Sequence, residues 1–171
     1  MPPAPAPSTP PPPSRAARRR RIALGAAVVA LAAAAAIAYE YAASPARDLK
    51  AAPRAHSAAC ARLAAAFPDR LADADRDSTD VAGAAVWGDG AVTVRCGLPT
   101  PLPTGDPCSE VDGVDWVWRA RQDEPDSRLL ITYGRSPAVE VRVDTRHAAP
   151  DAVLIDLSRL VKPIRQVREC L

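Results

Sequence analysis

A chain of 171 residues has room for one ordinary domain, and not for two domains plus a membrane segment. Its formal charge of +2 hides an asymmetry: Arg15 and Arg18 to Arg21 precede residue 22, all 20 acids follow it, and the remainder stands at −3. A mildly acidic body behind a short basic head excludes a nucleic-acid groove, which needs Lys and Arg clustered across a folded face.

Eight of the 19 prolines lie between residues 2 and 13, with no large apolar side chain after Met1. That composition predicts a disordered, polyproline-like tail over residues 1–21, on the cytoplasmic side. Ile22 to Ala38 is 17 residues without a charge, directly after four consecutive arginines. Extended to Tyr41, a helix here is about 30 Å long, which matches a bilayer core. The preceding arginines predict a cytoplasmic N-terminus, and Tyr39 and Tyr41 suit the opposite interface. Residues 22–41 are therefore expected to be a single-pass plasma-membrane anchor, with residues 42–53 a linker and residues 54–171 an extracytoplasmic domain. A cleaved signal peptide ending near Ala36-Ile37-Ala38 is the rival expectation, and it exports the same domain.

Within the domain, Ala55 to Phe67 places Cys60, Leu63 and Phe67 on one helical face, and Pro68 bounds it. The acid-rich stretch Asp73 to Asp80 is expected to be a loop. It lacks the Gly and Glu that a calcium loop requires at its sixth and twelfth positions. From residue 81 the apolar period becomes twofold. Ala85 to Trp87 and Ala91 to Cys96 flank Gly88-Asp89-Gly90, a hairpin signal. Val114 to Arg119, Arg128 to Tyr133 and Ala138 to Val143 are the further strands. Val153, Leu154, Leu157, Leu160 and Val161 then form an apolar helical stripe after Pro150, ended by Pro163. The expected fold is α+β, a mostly antiparallel sheet of about five strands covered by two helices and preceded by the transmembrane helix.

Four cysteines behind an export segment predict two disulfides, and three pairings are open. Cys96 and Cys108 bracket a Pro- and Gly-rich loop that has no core of its own, which favours closing that loop and leaves Cys60 to join Cys170. Zinc is disfavoured because no close Cys pair exists. No metal or cofactor is expected, since the chain has no Gly-x-Ser-x-Gly elbow, Walker loop, dinucleotide fingerprint or His-Glu-x-x-His. His56 and His147 are expected at the surface or at a helix cap. Trp116 and Trp118, on one strand face with Val114, are expected in the core rather than stacked on a ligand.

The polar residues left as a candidate site are Arg95, Asp115, Arg135 and Glu140. Arg135, in a turn, and Glu140, on the outward face of the next strand, suit an ion pair or an anion-binding patch. With no readable nucleophile and base, a noncatalytic module that binds an envelope protein or a cell-wall component is favoured. A small envelope-acting enzyme using this Arg/Asp/Glu cluster is the alternative.

Trp87-Gly88, Arg95-Cys96-Gly97-Leu98-Pro99, Cys108, Val111-Asp112-Gly113-Val114-Asp115-Trp116 and Thr132 to Val141 occur in the order of a known family. Over roughly Cys60 to Leu160 the chain resembles the domain of unknown function 3515 family of actinobacterial membrane-anchored or exported proteins. The family usually has Asn where Asp112 stands, and both residues tolerate the turn before Gly113. The resemblance implies location and compactness and assigns no catalytic residue.

Overall fold

The computed structural model describes residues 29–35, 49–119 and 125–170. The chain divides into two compact units, residues 1–43 and 44–171. In the first unit residues 29–35 are helical and exposed. Among the described residues no helix is long and apolar enough to cross a membrane. Most of the expected anchor, Ile22 to Tyr41, and all of the Pro-rich tail lie outside the described residues.

The second unit is an α+β domain. Helix α1 (Ala58–Ala66) is followed by β1 (Arg70–Leu71), β2 (Ala74–Asp77), β3 (Ala84–Trp87) and β4 (Val92–Leu98). After them come β5 (Cys108–Val111), β6 (Val114–Arg119), β7 (Ser127–Thr132), β8 (Ala138–Asp144) and helix α2 (Pro150–Val161). The strands form one eight-stranded sheet in the order β1-β2-β3-β4-β8-β7-β6-β5, with every neighbouring pair antiparallel. Two four-stranded meanders are thus zipped together where β4 meets β8.

The sheet has eight strands rather than five because β1, β2 and β5 carry no apolar alternation. Ala74–Asp77, expected as loop, is a strand held by its backbone and by charged side chains. Arg76 pairs in register with Trp87 and donates through Nη1 to the Phe67 carbonyl at 3.0 Å, and Asp77 accepts from Gly90 N at 3.1 Å. β5 is fixed by the two-residue turn Asp112-Gly113, where φ is 53° and 79°. Both values are left-handed, the conformation that Asp tolerates and Gly adopts freely in a tight hairpin.

One face of the sheet carries the main core. Trp87, Val92, Val94, Cys96, Val114, Trp116, Leu130, Val139, Val141 and Val143 are buried beneath α1 and α2. Ser57 caps α1 by accepting from Cys60 N, and Cys60 and Leu63 face inward. Of the predicted α2 stripe, Val153, Leu154, Leu157 and Val161 are buried, with Ser158 among them, and Leu160 is partly buried against the same core. Ser158 Oγ accepts the indole N–H of Trp116 at 3.0 Å, so the one polar group of that buried ring is satisfied where the helix docks. Trp87 is satisfied by the Pro68 carbonyl at 3.1 Å and meets Phe67 edge to face.

The opposite face holds a smaller cluster, Val117, Ile131 and Ala138, with Leu98, Cys108 and Tyr133 packed against it. This arrangement overturns the expected disulfides. The bridges are Cys60–Cys96 and Cys108–Cys170, and no cysteine is free. Four strand-to-strand steps separate β4 from β5, about 19 Å at the usual spacing, whereas bonded cysteines need Cα atoms within about 7 Å. Cys96 also faces the main core and Cys108 the smaller cluster. Residues 99–107 therefore carry the chain from the sheet's centre to its edge and do not fold back on themselves.

Gly97, at φ 117°, brings the backbone against the turn before α1, where Arg54 N donates to Gly97 O at 3.0 Å. A Cβ there would lie 2.4 Å from Ala55 N. Gly97→Ala is expected to destabilise the domain by at least about 1–3 kcal/mol in chemical denaturation, from backbone strain plus the clash. Gly105→Ala, with nothing within 4 Å of its Cβ, is expected to change stability by no more than about 0.5 kcal/mol.

Candidate functional site

The four candidate residues separate into two pairs. Arg95 and Glu140 are direct register partners across β4 and β8, on the face away from the helices. Arg95 Nε donates to Glu140 Oε1 at 2.9 Å, and its Nη2 reaches the same oxygen. The two side chains are 29% and 16% exposed, so the pair is neither sealed nor freely solvated. Its effect is to hold the seam between the two meanders in register, a contribution of about 0.2–1 kcal/mol for opposite charges on facing strands.

Arg135 does not pair with Glu140, contrary to expectation. It is 4% exposed, in the loop after β7, and points beneath the end of α2. Its Nη1 donates to the carbonyls of Lys162, at 3.0 Å, and Ile164, and its Nη2 to the carbonyl of Gly113 at 2.9 Å. A guanidinium supplies several donors in a fixed plane, which lets one side chain gather carbonyls from separate turns. Arg135 thus holds the turn that follows α2 against the Asp112-Gly113 hairpin. Burial pushes its guanidinium down from the ordinary arginine value, and the Asp115 carboxylate opposes that shift. Its Nε is buried and has no hydrogen-bond acceptor among the described residues.

Asp115 is 6% exposed, near the start of β6. Its Oδ2 accepts from Gln166 Nε2 at 2.8 Å and from Cys170 N at 2.9 Å. Val167 N donates to Gly134 O at 2.8 Å, and Arg135 forms an isolated bridge with Gln166. Gly134, at φ 70°, is the point of closest approach, because a Cβ there would sit 1.9 Å from Arg168 O. Residues 162–170 are therefore a strap. It leaves α2, passes over the Gly134-Arg135 loop and ends at the Cys108–Cys170 bridge. Among the described residues no hydrogen bond or salt bridge joins the Arg135/Asp115 pair to the Arg95/Glu140 pair.

Sequence reasoning missed the cleft of about 320 Å³ beside this strap, lined by Pro103, Thr104, Cys108, Val117, Tyr133 and Cys170 among others. Its only signal was the Pro-rich loop, which marks a segment without its own core but not what it lies against. A smaller cleft of about 150 Å³ lies by Ser127, Arg142 and Asp144. There Arg146 donates to Asp144 at 2.7 Å and holds that carboxyl below the usual carboxylate range. His147 is exposed, with Nδ1 3.3 Å from Asp144. Trp116 is fully buried as expected, and Trp118 packs against the core with the Arg128 guanidinium over its ring.

A family model described as protein of unknown function (DUF3515) matches residues 22–169. No curated protein and no solved structure matches the chain.

Removing Arg135 leaves three carbonyls without their donor and Asp115 without its neighbouring positive charge. Arg135→Ala is expected to cost about 2–4 kcal/mol, whereas Arg95→Ala is expected to cost about 1 kcal/mol or less. Urea denaturation of the two variants side by side measures both, and equal losses would contradict the buried anchoring role of Arg135.

Proposed function

We propose that this chain, which belongs to the DUF3515 family, is a membrane-anchored extracytoplasmic module that binds an envelope protein or a cell-wall component without catalysis. The observation that carries this reading is the pairing of all four cysteines into two disulfides on opposite faces of one sheet. Disulfides persist in oxidising compartments, and the stretch of arginines followed by uncharged residues 22–38 is the kind of segment that delivers a domain to one.

The noncatalytic part is supported by how the candidate residues are employed. An Arg/Asp/Glu active site needs its carboxylates and guanidinium groups converging on an open cavity. Here Arg95 is spent on Glu140 and the Arg135 guanidinium on backbone carbonyls, while Asp115 holds the strap.

Protease added to intact, wall-stripped cells is expected to degrade residues 54–171 and to leave residues 1–21 protected. Immunoblotting against tags at each end reads the outcome. A C-terminal tag that survives until the membrane is permeabilised would refute the orientation.

A further inference from the structure

The two disulfides differ in what can reach them. Cys60 and Cys96 are both 0% exposed, sealed between α1 and β4 within the main core. Cys108 and Cys170 are only partly buried, and both line the cleft of about 320 Å³ on the other face. Thiol–disulfide exchange requires an incoming thiolate to approach a sulfur, so access decides which bridge reacts first.

We propose that Cys108–Cys170 is a thiol-exchange site entered through this cleft, and that its reduction releases the strap beyond Ile164. The reductant is a dithiol. One of its thiolates attacks a sulfur of the bridge, forming a mixed disulfide and expelling the other cysteine as thiolate. The dithiol's second thiol, as thiolate, then displaces the protein sulfur from the mixed disulfide. The dithiol is oxidised to a disulfide, and two electrons and two protons leave Cys108 and Cys170 as free thiols.

The point of release follows from what holds the strap. Upstream, Ile164 is buried, and Arg135 grips the carbonyls of Lys162 and Ile164. Downstream, Arg165, Val167, Arg168 and Glu169 are exposed. Apart from the bridge, residues 165–170 are held chiefly by Val167 N on Gly134 O, by Gln166 and Cys170 N on Asp115, and by the Arg135–Gln166 bridge. A few hydrogen bonds with little apolar burial do not outweigh the backbone entropy of six residues once the crosslink is gone. The released segment uncovers Val117 and Tyr133 along the cleft and frees the Asp115 carboxylate. The inference does not depend on the membrane orientation proposed above.

The full chain is incubated with dithiothreitol under native conditions, quenched with iodoacetamide at timed intervals and mapped by mass spectrometry. Cys108 and Cys170 are expected to be alkylated at least about tenfold faster than Cys60 and Cys96. Amide exchange over residues 165–170 is expected to rise at least about tenfold, with α1 and β4 unchanged. Equal or reversed alkylation rates would overturn the site, and reduction without faster exchange at 165–170 would overturn the release. The double variant Cys108→Ser/Cys170→Ser should show the fast exchange without reductant while its buried tryptophans keep their emission. Loss of that emission would also overturn the release, because the bridge would then be holding the main core and not the strap alone.

Discussion

Satisfying the carbonyls of the turn that follows α2 is the constraint on which the rest of the domain turns. α2 ends at Val161 before Pro163, with the Ser158 and Val161 carbonyls met by Lys162 N and Ile164 N, and the turn that follows leaves the carbonyls of Lys162 and Ile164 to be met from elsewhere. A guanidinium answers the need, and it comes from Arg135, on the loop joining β7 to β8. Placing it there imposes further conditions. Gly134 must have no side chain, so that the strap can pass at Arg168. Asp115 must lie nearby, where it balances the buried charge and accepts from Gln166 and Cys170. The helix layer, the end of the sheet and the tail on the second face are thereby coupled through one side chain.

The sheet order explains why the domain needs this coupling. Each meander is built from local hairpins, but the β4–β8 seam joins residues far apart in sequence, and the chain reaches β5 only by crossing β8, β7 and β6. Both edges are weak, with two residues in β1 and four in β5. Cys60–Cys96 ties α1 to β4, the strand of the first meander at the seam, and Cys108–Cys170 ties the outer strand of the second to the strap. Each crosslink thus falls in a different meander and on a different face. A bridge between Cys96 and Cys108 would have closed a loop but fastened neither helix nor tail.

Much of this was legible in the residues. The helical stripe of α2, the five apolar strands, the core position of Trp116 and the turn at Asp112-Gly113 each carry a local signal, because burial on one face imposes a period on the chain. β1, β2 and β5 lacked that signal: Ala74–Asp77 is a strand by backbone pairing and charged contacts, and its composition is that of a solvated turn. The disulfides were misread because loop closure was judged along the chain, and the distance between Cys96 and Cys108 depends on strand order, which no local pattern encodes. Arg135 was misread for a related reason. A charge in a turn suggests a carboxylate partner, whereas its partners are carbonyls, which leave no trace in a sequence. The contacts of Arg95, Asp115, Arg135 and Glu140 were not legible for the same reason.

The residues that carry the family resemblance have structural employment. Gly97 admits the turn before α1, Gly113 offers a carbonyl to Arg135, Asp115 fastens the strap, Trp116 anchors α2 through Ser158, and Gly134 admits Arg168. The bonds that Gly113, Asp115 and Trp116 make in the structure run to other parts of the chain, so each fastens one element to another. What the motifs specify is a way of closing a sheet whose two halves meet only at β4 and β8. The loop 99–107 and the strap lie outside the longest motif blocks and carry Leu102 and Val167, 77% and 59% exposed. The frame and the surface left open on it are therefore set by different parts of the sequence. The two still meet at one point, because Thr100 Oγ1, at the start of the loop, donates to the Arg135 carbonyl at 2.8 Å and so ties the open loop to the residue that holds the strap.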